Sequence, residues 1–444
     1  MRRQLFALLA LPLASLGVRP LPAPTQTSPP VAFTNVTVVP MTANRTDPGQ
    51  TVITSGGRIT AVGPSASTPV PAGAVTVDGK GKFLMPGLSE MHGHIPQVSD
   101  RAWAEDTLFL YVANGVTTVR GMQGSAGQLE LREQTRRGDL IGPTLYLAGP
   151  AFSGGTVKTP EAAAERVRQQ KAEGWDLLKV LTGLSVETYD GMARAAKEAS
   201  IGFAGHVPAA VGILHALEMG QETVDHLDGY VELLDARAKP LDEAALRGVI
   251  EKTKAANAWM VPTMFVWETL QGAPTLESRT GLVELKYLPP TLLAQWTGQL
   301  QKRLGNPQFD AKGAALHMQN RTRILAAMHQ AGVRLLLGSD APQQFNVPGF
   351  SIHHEMRSMA DAKMTPFEIL RTGTAAAGAY LGPRGEPFGT IAVGQRADLI
   401  LVDANPLTAL GNVARRSGVM VRGRWLPETD IQKRLASIAQ SRKP

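Results

Sequence analysis

The chain has 444 residues, 43% apolar and 19% charged, with 45 Gly and 31 Pro, an ordinary globular composition that is long enough for one large core and an accessory domain. It has no cysteine, which excludes disulfides, thiolate metal sites, a cysteine nucleophile and a lipid-anchoring cysteine. The formal charge of +7 does not describe a nucleic-acid-binding face. Residues 412–444 hold eight Lys/Arg against two Asp/Glu, a net +6, so nearly all of the excess sits at one end.

In chain order, Met1-Arg-Arg precedes a short apolar run from Leu5 to Val18. The run is too short to span a bilayer comfortably and reads as a secretory signal over residues 1–24, implying export to a periplasm or the extracellular space and no other membrane contact. Val31 to Val39 alternates and is β-branched, Thr51 to Gly63 reads as a hairpin turning at Gly56-Gly57, and Ala74 opens a further strand. The same texture returns at Gly389–Gly394, Ala397–Asp403 and Gly418–Trp425. One small β-sandwich built from residues 31–85 and 386–427 is expected, followed by a basic tail over 428–444 that reads as a solvated helix.

Between the two ends, short apolar strands alternate with amphipathic helices, the pattern of a parallel α/β domain. The strand candidates are Lys82–Met85, Thr117–Arg120, Thr144–Ala148, Leu177–Leu181, Gly202–His206, Thr223–Leu227, Met260–Phe265 and Val333–Asp340. Eight strands close a (β/α)8 TIM barrel, placed here over residues 86–385. Thr159, Pro160 and Glu161 supply an N-cap, a first-turn proline and a first-turn acid for a helix reaching Gly174, and Glu187–Ala199 and Asp242–Ala256 follow the same logic. The connection from Trp267 to Gly332 is unusually long, which suits a lid or pocket wall, with Tyr287 and Trp296 as candidate lining residues.

The chemistry-bearing residues fall at strand ends. His92 and His94 alternate in Met85-Pro-Gly-Leu-Ser-Glu-Met-His92-Gly-His94, so in a strand both imidazoles project from one face, a natural ligand pair for a divalent metal. Lys179 lies within an apolar strand, where an unpaired ammonium is costly. A neutral amine that has captured carbon dioxide as a carbamate removes that penalty and can bridge two cations. His206, His226 and Asp340 close further strands, and in a barrel those tips share one mouth. His215, His317 and His329 read as surface or packed residues, while His353-His354 follows the last strand closely enough for a supporting or substrate role.

With these pieces assembled, the chain resembles the amidohydrolase superfamily, in particular its binuclear prolidase-like and imidazolonepropionase-like members. The resemblance rests on Pro86 to His94, Asp176 to Val180, Gly205-His206, Thr223 to His226, Gly338-Ser-Asp340 and Gly389 to Leu399. It implies two divalent ions, usually zinc in that family: His92, His94 and Asp340 on one, His206 and His226 on the other, and carboxylated Lys179 between them. Two departures stand out. Ser89-Glu90 replaces the family's frequent Ile-Asp, and Phe152 to Lys158 lacks the histidine some relatives place there to contact substrate.

The function implied is hydrolysis of a C–N amide bond, in a dipeptide or N-acyl amino acid, by a hydroxide bridging the two metals. Asp340 is the expected proton acceptor and donor, and Tyr230, four residues past His226, an expected phenolic donor to substrate. Other readings stay open: a mononuclear aminohydrolase, a lactone or carbamate-ester hydrolase, or a metal-binding protein without catalysis. The partner is a small amide or peptide rather than nucleic acid, and assembly as a homo-oligomer is left open.

Overall fold

The computed structural model describes residues 29–443, so the signal expected over residues 1–24 lies outside the described residues. The N-terminal strands are β1 (Val31–Val38), β2 (Asp47–Ser55), β3 (Arg58–Pro64), β4 (Val75–Asp78) and β5 (Phe83–Pro86). There follow β6 (Leu88–Gly93), β7 (Val116–Gly121), β8 (Thr144–Leu147), β9 (Leu177–Val180), β10 (Gly202–Gly205), β11 (Thr223–Asp225), β12 (Trp259–Val261) and β13 (Arg334–Leu335). The chain ends with β14 (Leu399–Val402), β15 (Arg416–Val421) and β16 (Arg424–Pro427).

Strands from the two ends merge, in the order β16-β15-β14-β5-β1-β2-β3 with β4 also on β1. Where two facing sheets were expected, hydrogen bonds join all eight strands into one sheet that forks at β1: Val31–Thr34 run beside β4 and Thr37–Val38 beside β5. Gly56 and Gly57, both at positive φ, make the two-residue turn between β2 and β3. Phe33, Val52, Leu84, Leu399, Leu401 and Met420 bury one face as a core of its own. The stretch Gly389–Gly394 does not form the strand expected of it and enters as turns, because Gly389 and Gly394 both take positive φ.

The intervening strands are parallel and lie in two runs, β6-β7-β8 and β9-β10-β11-β12-β13. Backbone bonds join the runs on both sides. Gly149 N donates to Leu177 O (3.0 Å) and Phe152 N to Lys179 O (2.8 Å), while Met91 N donates to Leu337 O (2.9 Å) and Asp340 N to His92 O (2.8 Å). Parallel pairing puts all of their C-terminal ends at one edge, which is what gathers residues distant in sequence.

The apolar run read as the opening strand is in fact divided. Phe83–Pro86 pairs with β14 in the end sheet, and only after Gly87 does β6 begin the parallel set that carries His92. A side chain at Gly87 would meet Thr117 Oγ1 at 2.1 Å, so only glycine lets the chain cross between the sheets there.

The helix Pro160–Glu173 starts as its sequence requires: the Thr159 hydroxyl accepts from Ala162 N, and Gly174 ends it in the left-handed conformation. Helices Val186–Glu198 and Glu243–Ala255 match the expected positions within a residue or two. The long connection holds helices Met264–Leu270, Leu276–Thr280, Pro290–Leu304 and Ala311–Gln330. Met264 and Phe265, expected in a strand, instead start a helix because both oxygens of buried Glu355 accept from their backbone N–H groups (2.8 and 2.9 Å).

Tyr287 and Trp296 pack into a cluster with Leu300, Phe345 and the last helix, Glu428–Ser441. That helix is docked rather than solvated. Ile431, Leu435 and Ile438 recur at helical spacing and are buried, and Arg434 and Arg442 reach the two oxygens of Asp106 (2.8 and 2.7 Å). Among the described residues no helix is long and apolar enough to cross a membrane.

Candidate metal centre

His92, His226 and Asp340, from three different strand ends, present ligand atoms that lie within 4.8 Å of one another, and all three residues are buried. Around them stand the other residues singled out from sequence. His94 Nε2 is 2.7 Å from Asp340 Oδ1, and Lys179 Nζ is 3.2 Å from His92 Nε2. The His206 and His226 rings are 4.5 Å apart between centroids. All six candidate ligands therefore converge at the edge where the parallel strands end.

Two of these residues hold backbone conformations that side chains avoid: φ is 65° at both His226 and Asp340. Such strain costs about 1–3 kcal/mol per residue and persists only where surrounding bonds impose it. Here His226 N donates to Val261 O and Asp340 N to His92 O (both 2.8 Å). The buried Arg321 adds a bond from Nη2 to His226 O (2.6 Å) while its guanidinium lies 4.7 Å over the Trp267 ring.

Three of the four histidines are oriented by a partner on the other side. His92 Nδ1 lies 2.7 Å from Asp225 Oδ2, His206 Nδ1 lies 2.6 Å from Asp228 Oδ2, and His226 Nδ1 lies 2.7 Å from Thr263 Oγ1. An ionised carboxylate only accepts, so Asp225 and Asp228 place the proton on Nδ1 and leave the Nε2 lone pair of His92 and His206 free. Asp225 is itself held by Arg120 Nη2 (3.2 Å) and by the Thr223 hydroxyl (2.7 Å). Burial alone would push the Asp225 carboxyl up, but Arg120 and Lys179 outweigh it and hold it below its ordinary value. Burial, then the positive charge of Lys179, holds His92 well down, so its ring is neutral. His226 is likewise lowered, by burial and then by His92 and His206.

Lys179 is almost fully buried, and burial lowers its amine to about 8 against the opposing pull of Asp225 and Asp340. Its Nζ makes no ion pair among the described residues; its one bond is to His92 Nε2. Gly205, at φ +120°, makes room for the lysine stem, because a Cβ there would meet Lys179 Cδ at 3.0 Å. An amine made easier to deprotonate by burial, beside the imidazoles of His92 and His226, both held neutral, and the side chain of Asp340, is a donor set that fits divalent cations.

Tyr230 does not join this group. Its hydroxyl is fully buried 2.7 Å from Thr253 Oγ1 and its ring packs in the core, so the expected contact with substrate is corrected to a packing role. His353 and His354 also face elsewhere. His354 stacks on Phe265 at 4.3 Å and bonds Glu284 Oε1 at 2.6 Å, both remote in kind from the metal-ligating set.

Several residues of the site were not singled out from sequence. Arg120 and Asp225 are the clearest, and the signal that exposed Lys179, a charge inside an apolar strand, was present for both. Glu90, noted in the sequence only as a departure from the family's pattern, also supports the site: burial raises it to about 8, Ser339 Oγ and N donate to it at 2.5 and 2.8 Å, and His92 N donates at 3.0 Å. It ties the strand of His92 to the segment ending in Asp340. Gln343 Nε2 donates to Asp340 Oδ2 at 2.8 Å.

The profile of the amidohydrolase family matches residues 83–426. Solved structures share the fold. A bottromycin amidohydrolase aligns with a TM-score of 0.75 and 24% identity over 93% of this chain and 90% of its own. A Xaa-Pro dipeptidase with methionine bound in its active site aligns at 0.68 and 18% over 90% and 100%, and a molinate hydrolase at 0.69 and 19% over 91% and 96%. At these identities the likeness concerns the fold alone. Among curated protein sequences none matches.

Proposed function

The chain belongs to the amidohydrolase family, and on that footing we propose that it hydrolyses an amide C–N bond in a dipeptide or N-acyl amino acid, at the C-terminal mouth of a closed (β/α)8 barrel. The observation that carries the reading is Lys179, a buried amine that forms no ion pair among the described residues, 3.2 Å from His92 Nε2. Once the amine has given up its proton, which burial favours, its lone pair can attack carbon dioxide, forming an N–C bond and releasing a second proton, and the resulting carbamate would hold two cations together. His92, His94 and Asp340 would take one cation, His206 and His226 the other. A mononuclear deaminase needs no such lysine.

Divalent ions held there, zinc being the family's usual choice, supply Lewis acidity to the substrate carbonyl and acidify water. The chain's residues do the rest. Asp225 and Asp228 keep the protons of His92 and His206 on Nδ1, so the ligating lone pairs need no reorganisation. Asp340, already bonded through Oδ1 to His94 and through Oδ2 to Gln343, takes the proton of the attacking water and passes it to the leaving nitrogen as the C–N bond breaks. Buried Arg321 and half-buried Trp267 back His226. The apolar leader makes export part of the same proposal.

The test is metal content of the leader-free protein coupled to a panel of dipeptides, N-acyl amino acids, lactones and aminated rings. Two metals per chain with amide turnover is expected. One metal per chain with deamination, turnover confined to lactones, or no turnover at all would replace the proposal with one of its rivals.

A further inference from the structure

The long connection, whose length suits a lid or pocket wall, grips the loop that follows Asp340. Trp296, 5% exposed on helix Pro290–Leu304, lies with its ring centroid 6.0 Å from that of fully buried Phe345. On the same helix, Gln299 Oε1 accepts from Gln344 Nε2 at 2.8 Å. Just before the helix, Tyr287 stacks on Phe350 at 5.2 Å between centroids. Arg442 of the last helix donates from Nε to the Tyr287 carbonyl at 3.4 Å, so the connection is itself tied down.

The gripped loop is strained. Asp340, Gln344 and Phe345 take φ of 65°, 48° and 70°, and for a side chain as bulky as Phe345 that conformation is a genuine outlier. Each costs about 1–3 kcal/mol and persists only where its surroundings impose it. Asp340 has a restraint of its own, the backbone bond to His92 O. Gln344 and Phe345 have the helix, which takes the amide of one and packs the ring of the other. Directly before them stands Gln343, whose Nε2 donates to Asp340 Oδ2 at 2.8 Å. Relaxation of Gln344 or Phe345 to negative φ redirects the chain beside Gln343 and withdraws that donor. The Asp340 carboxylate then keeps only His94, on Oδ1, to fix its plane.

We infer that helix Pro290–Leu304 is a brace for the reaction: Trp296, through Phe345, and Gln299, through Gln344, are positioning residues that hold Asp340 in the orientation from which it meets metal and water. The inference rests on Asp340 being the ligand and base proposed above. Trp296 and Gln299 make no hydrogen bond or ring contact with the ligating residues among the described residues, so their influence passes through the loop alone. Misplacing a reacting group by about 1 Å costs roughly 10²-fold in rate, which makes such a brace measurable.

Kinetics are measured on the full chain, and visible absorption on its cobalt(II)-reconstituted form, whose d–d bands report ligand geometry without turnover. Trp296→Ala should lower kcat about 10–100-fold and shift the cobalt bands, with KM unchanged because the lost positioning acts in the transition state. Trp296→Phe keeps a ring against Phe345 and should restore both. Gln299→Ala, at an exposed position where folding is not at risk, should move kcat and the bands in the same direction by less. Leu426→Ala, in the same apolar cluster but on the end sheet, should lower stability and leave kcat and the bands as in the wild type. Unchanged kcat and bands in both Trp296→Ala and Gln299→Ala, a raised KM at constant kcat, or equal losses in Leu426→Ala would overturn the inference alone. Wild-type turnover in Asp340→Asn, or a wild type that takes up no cobalt, would overturn it together with the reading beneath it. Where no amide is turned over, the cobalt bands decide.

Discussion

His92 Nδ1 and Asp225 Oδ2 lie 2.7 Å apart with neither side chain exposed beyond 1%. The bond decides which nitrogen of His92 is free to bind metal, and Asp225 depends in turn on Arg120, 3.2 Å away and wholly buried. Asp225→Asn leaves the Arg120 cation without its partner, so stability should fall by about 3–5 kcal/mol and metal affinity by roughly 10–100-fold. Adding Arg120→Met removes the orphaned charge. Denaturant titration of the double variant should then recover most of the stability, while metal titration should not recover the affinity. If affinity returns along with stability, Asp225 acts on the fold alone.

Asp340→Asn keeps an oxygen at the same place and removes the base. Elemental analysis should find most of the metal retained, and turnover should drop by about 10²–10⁴-fold. Wild-type turnover in this variant would remove Asp340 from the proton-transfer role.

Lys179→Met replaces a buried amine with an apolar chain of similar length. Because the amine forms no ion pair among the described residues, thermal stability of the metal-free protein should hold or rise. Metal content should fall from two per chain to one or none. Two metals retained would show that no carbamate bridges them.

His353 carries the pH prediction. Burial, with the charges of Arg416, His354 and Arg357 nearby, lowers the ring to about 3, and its sealed Nε2 has no partner among the described residues. The folded value lies below the ordinary one, so the unfolded chain binds the proton first. Stability is full above pH ~6.5 and falls by about 1.4 kcal/mol per pH unit as pH drops from there towards 3. Between pH 7 and pH 5 the wild type should lose about 2 kcal/mol more than His353→Gln. Equal losses, measured by urea denaturation at both pH values, would mean that the ring titrates normally. His317, lowered to about 4 chiefly by burial, acts in the same direction and is common to both proteins, so the difference isolates His353.

Much of this molecule was legible residue by residue. The alternation of short apolar runs with capped helices marked the parallel strands to within a few positions, and Thr159-Pro160-Glu161 marked a helix start that the structure keeps. Lys179 stood out because a charge is expensive inside an apolar strand, and His206 and His226 because they close strands whose tips share one edge. What misled was local pattern overruled by distant partners. Met264 and Phe265 have strand-like side chains, yet Glu355, some ninety residues on, captures their N–H groups and starts a helix. Tyr230 sits at a tempting interval from His226, but Thr253 on another helix takes its hydroxyl into the core.

The sequence by itself determined the inventory: which strands are parallel candidates, which residues can ligate, and that no cysteine takes part. Periodicity and the cost of burying charge act within a few residues, so those features can be read from the chain. Tertiary structure alone decided the pairings. Asp225 with Arg120 and His92, Arg321 with the His226 carbonyl, and Asp340 with His94 all join positions about ninety or more residues apart. Hydrogen bonds are made at about 3 Å and at fixed angles, and nothing in a linear pattern specifies which distant strand end will stand at that distance.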